Sequence, residues 1–103
     1  MAQYIIAYRG SKKPESPEAG QAQMGKWQEW IKELGDAVVN PGTPLTGSQT
    51  VTNDGTSDTN PDDALTGFSM VEADSMEAAL EMAKACPFLE MGHLEVAQVM
   101  SMG

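Results

Sequence analysis

Residues 65–100 read LTGFSMVEADSMEAALEMAKACPFLEMGHLEVAQVM, and their apolar period passes from two to 3.6 and back to two. Residues 67–73 (GFSMVEA) form a strand, with Phe68 and Met70 on one face and Val71 on the other. Asp74 or Ser75 then caps a helix, and Asp74 with Glu77 has the spacing of a capping box. Met76, Ala79, Leu80 and Ala83 fall on one stripe that Cys86 continues, while Glu77, Glu81 and Lys84 face out. Pro87 ends the helix, because it lacks an amide hydrogen and restricts the residue before it. Residues 93–100 (HLEVAQVM) make the last strand. A strand, a one-sided helix and a strand in such close succession share one core, so the chain is committed to mixing helices and strands.

The first half repeats the pattern. Residues 3–9 (QYIIAYR) have strand composition and close at Gly10. Tyr4, Ile6 and Tyr8 share one face, with Ile5 and Ala7 on the other, so both faces carry apolar groups that need cover. A polar link at residues 11–18 (SKKPESPE) leads through Ser16, an N-cap, to Pro17 at the first helical position and Glu18 in the first turn. Met24, Trp27, Ile31 and Leu34 recur at helical spacing, Trp30 widens the stripe, and Gly35 supplies the stop. Residues 36–40 (DAVVN) are short and β-branched, and Pro41-Gly42 turns them. Residues 48–52 (SQTVT) are extended and run into Asn53-Asp54-Gly55, a strong turn signal. Residues 56–64 (TSDTNPDDA) are polar, acidic and without period, which predicts an exposed loop.

The resulting order, β-α-β-β-α-β, is the ferredoxin-like arrangement: an antiparallel sheet with two helices on one face, in a single domain spanning residues 1–103. The face without helices still carries apolar side chains. A second subunit packed sheet against sheet would cover them, so the expected state is a homodimer.

Charge narrows the partners. Fifteen acids against six bases leave a net charge of -9, which repels phosphates and argues against nucleic acid and anionic membrane surfaces. No apolar run approaches the roughly 18 residues that span a bilayer, and the start MAQYIIAYRG lacks the basic opening of a signal peptide. Cys86 is the sole cysteine, so no intrachain disulfide forms, and a cytoplasmic location is the expectation.

The stretch GFSMVEADSMEAALEMAKACP followed by GHLEVAQVM resembles the closing half of the YCII-related domain family: a strand, an ADS-like cap, an alanine-rich helix, CP, a short glycine turn and an EV strand. The first half agrees, with a tyrosine-containing strand, a tryptophan-containing helix ending in Leu34-Gly35, the Thr50-Val51 strand and the Asp54-Gly55 turn. The resemblance implies a dimeric α/β barrel built from two ferredoxin-like subunits. In some members it also implies enzymatic chemistry at a His–Asp pair in a cleft. This chain departs there: its one histidine is His93, at the start of the last strand, and Asp54-Gly55 is followed by Thr56-Ser57 rather than by Pro-Phe.

The candidate chemistry is acid–base. His93 is a candidate general base, since histidine is the side chain that titrates near neutrality unaided, and Glu95 shares its strand face. Glu72 and Asp36 are carboxylates at strand positions, more often solvated than catalytic. Tyr8, Trp27, Trp30 and Tyr4 are candidates to line an apolar ligand pocket, although two tryptophans three apart on a helix are more often core. Arg9 could hold an anionic ligand at the end of the first strand, where a surface ion pair is the commoner role. The acidic run 58–63 lacks the glycine and glutamate of a calcium loop, and no zinc spacing, P-loop, dinucleotide glycine pattern or nucleophile elbow is present. No cofactor and no metal are therefore expected. Two functions remain: a small-molecule enzyme or binding protein with a cleft of Tyr8, Trp27, Glu72 and His93, or a non-catalytic dimeric interaction module.

Overall fold

The computed structural model describes residues 2–10 and 16–100; residues 11–15 of the expected polar link lie outside them. Six strands and two α-helices follow one another: β1 (Ala2–Arg9), α1 (Pro17–Leu34), β2 (Val38–Asn40), β3 (Gln49–Thr52), β4 (Gly55–Asp58), β5 (Leu65–Ala73), α2 (Met76–Lys84) and β6 (His93–Gln98). Short 3-10 turns occupy Gly35–Ala37, Pro61–Asp63 and Pro87–Glu90. The main sheet has the order β2-β5-β1-β6, and every neighbouring pair in it is antiparallel. With the β3–β4 hairpin set aside, this is the ferredoxin-like topology expected from the element order.

Alternation divides the sheet cleanly. Tyr4, Ile6 and Tyr8 of β1 lie beside Val71, Ser69 and Gly67 of β5, and all six are buried beneath the helices. From β6, Val96 and Leu94 join that face opposite Ile6 and Tyr8. The helices reach it differently. On α2, Ala79 and Ala83 are buried, small enough to let the helix axis approach the strands. Trp30 is the one fully buried side chain of α1, and its indole N–H donates to the Met82 carbonyl at 3.0 Å, which ties the two helices together.

Both helices begin on the predicted serine caps. Ser16 Oγ accepts from the Ala19 amide at 3.1 Å, and Pro17 follows as the first helical residue. For α2 the cap is Ser75, which accepts from the Ala78 amide at 3.2 Å; the helix so begins one residue later than an Asp74–Glu77 capping box would start it. The apolar stripe of α2 is narrower than its sequence suggests, since Met76 and Leu80 are exposed and Ala78 and Met82 fill the flanks.

The 56–64 stretch is the expected loop only from residue 59 on. Residues 55–58 pair with β3 as a two-stranded hairpin, with Thr50 opposite Ser57 and Val51 opposite Thr56. All eight hairpin residues are exposed, so neither strand carries the one-sided apolar pattern that marks a strand. The Thr50 and Thr59 hydroxyls at 2.9 Å, and those of Ser48 and Thr59 at 3.2 Å, fasten its base.

The molecule measures 41 × 37 × 19 Å, and the short axis holds one sheet layer and one helix layer only. Among the described residues, no helix therefore covers the second sheet face.

Candidate functional site

A cavity of about 280 Å³ opens between the α1 side of the sheet and the chain segment that follows β2. Four segments build it. From α1 come Gly20, Gln23, Met24 and Trp27, one helical face; from β1 comes Tyr8. Pro41, Gly42, Thr43 and Pro44 form a wall laid along β5 at Thr66, Gly67 and Phe68, and the turn after α2 contributes Phe88 and Met91. Among these described lining residues none is charged. The volume lies just below the range of roughly 300–1,000 Å³ typical of drug-sized ligands, so the space suits a compact molecule.

Local sequence explains each wall. The 41–44 segment carries two prolines and a glycine with φ of +86°, a conformation that L side chains rarely adopt. A Cβ at Gly42 would sit 1.5 Å from the Phe68 carbonyl oxygen, so only glycine lets the segment lie against the strand. Asn40 Oδ1 takes the Gly42 amide at 2.8 Å, and the Leu45 amide donates to Thr66 O at 3.0 Å. Pro87 starts the turn that presents Phe88, whose ring stacks on Tyr8 with centroids 5.2 Å apart and planes 24° apart. Gln23 Nε2 donates to Pro87 O at 2.7 Å and holds that turn against α1.

A directed chain of hydrogen bonds runs behind the cavity. Ser69 donates to the Pro41 carbonyl at 2.8 Å, because a carbonyl can only accept. Its single proton is then spent, so in the 2.5 Å contact between Tyr8 Oη and Ser69 Oγ the phenol is the donor. Trp27 Nε1–H completes the chain by donating to Tyr8 Oη at 3.0 Å. Burial pushes the Tyr8 phenol above its ordinary pKa, against the lowering pull of these two bonds. Tyr8 is therefore a neutral phenol at physiological pH, with its proton fixed on Ser69.

Of the residues singled out from sequence, Tyr8 and Trp27 meet at this cavity, while Tyr4 and Trp30 belong to the core beside it. The acid–base candidates lie elsewhere. His93 and Glu95 are exposed on β6, paired with Arg9 and Ala7 of β1, which puts them on the sheet face opposite the helices. Arg9 reaches Glu95 Oε1 at 3.3 Å and the Asp63 carbonyl at 2.9 Å, the surface ion pair weighed from sequence. Glu72, opposite Gln3, is on the same outer face but six residues further along β1, roughly 20 Å from the Arg9 end at strand rise. Asp36 sits exposed in the turn after α1. Cys86 is buried, and burial pushes its thiol up to about 11.

Ser69, Gln23, Phe88 and the 41–44 wall were not singled out. Ser69 did leave a signal: it occupies an inward position of β5 between Gly67 and Val71, where a hydroxyl is at odds with an apolar face. The others come together only through tertiary contacts.

A family model described as the YCII-related domain matches residues 1–103. Among solved structures, the chain is similar to 5-chloro-2-hydroxyhydroquinone dehydrochlorinase from Burkholderia phenoliruptrix AC1100, in complex with 2,5-dihydroxybenzoquinone. The TM-score is 0.61 at 18% sequence identity, over 98% of this chain and 95% of that one, a likeness of fold. No curated protein matches the chain.

Proposed function

From the premise that the chain belongs to the YCII-related domain family, we propose that it is a small-molecule protein that takes a compact, flat, uncharged ring into the cavity beside Tyr8. The observation that carries this reading is the lining itself. Trp27, Phe88, Met24 and Met91 offer apolar and aromatic surface around a space of about 280 Å³, and no charge faces it among the described residues. An ionised ligand would lose its hydration there without gaining a counter-charge.

The likeness to a dehydrochlorinase supports an enzymatic form of this reading, a reaction on a hydroxylated ring. Within one subunit the cavity offers Tyr8 as its titratable group, while His93, Glu95 and Glu72 occupy the other sheet face. Ring binding in the cavity is accordingly independent of those three. Titration of the full chain with small aromatic molecules, followed through the Trp27 indole N–H resonance, tests the proposal. A saturable shift that survives His93→Ala and Glu95→Gln is the expected result, and no saturable shift with any small ring counts against it. Chloride release from a chlorinated hydroquinone separates an enzyme from a binder.

The second reading, a dimeric interaction module, has its own observation in the uncovered sheet face. The homodimer it requires is compatible with ring binding, and both belong to the proposal.

A further inference from the structure

Resting on the ring-binding reading, we infer that the cavity selects rings that donate a hydrogen bond to Tyr8, phenols in their neutral form above all, over acceptor-only rings and anions. The inference comes from following the protons. Tyr8 gives its proton to Ser69, whose own proton is fixed on Pro41 O. Trp27 gives its indole N–H to Tyr8, and Thr66 gives its hydroxyl proton to the Tyr8 carbonyl at 3.2 Å. One N–H of Gln23 is held by Pro87 O.

The backbone follows the same rule. Pro41 and Pro44 have no amide hydrogen, and the Gly42 amide is held by Asn40. The 41–44 wall that a ligand meets is therefore short of donors, with exposed Thr43 the residue of that segment that keeps one. At Tyr8 itself the capacity left is for accepting, a lone pair on Oη beyond the one Trp27 uses, while the Gln23 amide keeps Oε1 and one N–H. A phenol hydroxyl turned toward Tyr8 Oη satisfies that lone pair. An ether or carbonyl oxygen in the same place faces another acceptor, and a carboxylate or phenolate adds an unpaired charge. Tyr8 is thus a specificity-determining residue through the direction of its hydrogen bonds.

Three rings of similar size test this on the full-length chain at neutral pH: 4-methylphenol, its O-methylated counterpart 4-methylanisole, and 4-methylbenzoate, titrated calorimetrically. The expected order is 4-methylphenol about tenfold tighter than 4-methylanisole, the worth of one hydrogen bond plus one avoided mismatch, with 4-methylbenzoate not binding. Equal affinity for the first two, or tighter binding of the benzoate, overturns the inference and leaves ring binding standing. Failure of all three overturns ring binding and the inference together. Ser69→Ala gives a second, independent arm. It frees the Tyr8 proton to turn into the cavity, so the preference for 4-methylphenol over 4-methylanisole should shrink to within about twofold, by lost discrimination between donor and acceptor. A folded Ser69→Ala variant that keeps the full tenfold preference sinks the assignment to Tyr8.

Discussion

Cys86 and Tyr8 sit side by side in the buried layer, and each has a proton that water would remove more readily than the protein does. The linkage has a definite sign. The Cys86 thiol has an ordinary value of 9.0 and is pushed up to about 11 by burial, so between those values the unfolded chain loses a proton that the folded chain keeps. The thiol's contribution is complete below about pH 9 and is lost as pH rises toward 11, roughly 1–3 kcal/mol at 1.36 kcal/mol per unit. Urea unfolding at pH 8 and pH 10.5 should show the fall, and Cys86→Ala should reduce its slope. The part that survives belongs to Tyr8, whose phenol is raised in the same direction. The thiol also stays protonated at neutral pH, so alkylation of the folded chain should be far slower than in urea. The helix C-terminus just before Cys86 acts in the same direction. The larger cause is desolvation, which no local pattern reports.

At the scale of the elements, two neighbouring segments have opposite tolerances. The 41–44 wall depends on Gly42, where a Cβ would collide with backbone rather than with a side chain able to turn away. Gly42→Ala should lift the wall from β5, break the Ser69–Pro41 bond and cost about 2–4 kcal/mol, the scale of severe backbone strain. Chemical denaturation measures the cost, and loss of ring binding should accompany it. The β3–β4 hairpin buries none of its eight residues, and Val51 at its centre is 74% exposed. Replacing residues 49–58 by a short glycine-serine turn should change stability by less than about 1 kcal/mol, as shortening a surface loop costs little. The same contrast explains what could be read in advance. Strands β1 and β5 and both helices were legible because burial imposes a period on their side chains. Strand β4 was not, because a ribbon exposed on both faces has no period to show. The site was half legible: Tyr8 and Trp27 stood out as aromatic groups, whereas Gln23, Ser69 and Phe88 acquire their roles from segments distant in sequence.

At the scale of the whole molecule, the sheet face away from the helices has no second layer among the described residues. Met70, Ile5 and Ala97 form one row across β5, β1 and β6 on the side away from the helices, and Phe68 with Ala7 begins the next. Glu72 and Gln3 stand at one end of these rows and Arg9, His93 and Glu95 at the other, an apolar centre between polar margins. That distribution resembles an interface core and rim rather than a solvated sheet face, whose outward positions would be polar throughout. It also gives the acid–base residues a place: they border the uncovered face, outside the cavity on the far side of the sheet. A second copy of the chain is the expected occupant, because it would close both faces at once. Ile5 is the residue to change, because it is central in its row and contributes nothing to the helix-side core. Ile5→Glu would bury a charge at the centre of such an interface, at a cost of several kcal/mol once desolvated. Sedimentation velocity at micromolar concentration should show a dimer for the native chain and a monomer for Ile5→Glu, with unchanged far-ultraviolet circular dichroism. Because the cavity lies on the opposite side of the sheet, the monomer should still bind 4-methylphenol. A monomeric native chain would refute the sheet-to-sheet dimer, and loss of binding in a folded Ile5→Glu monomer would show that the cavity depends on the partner.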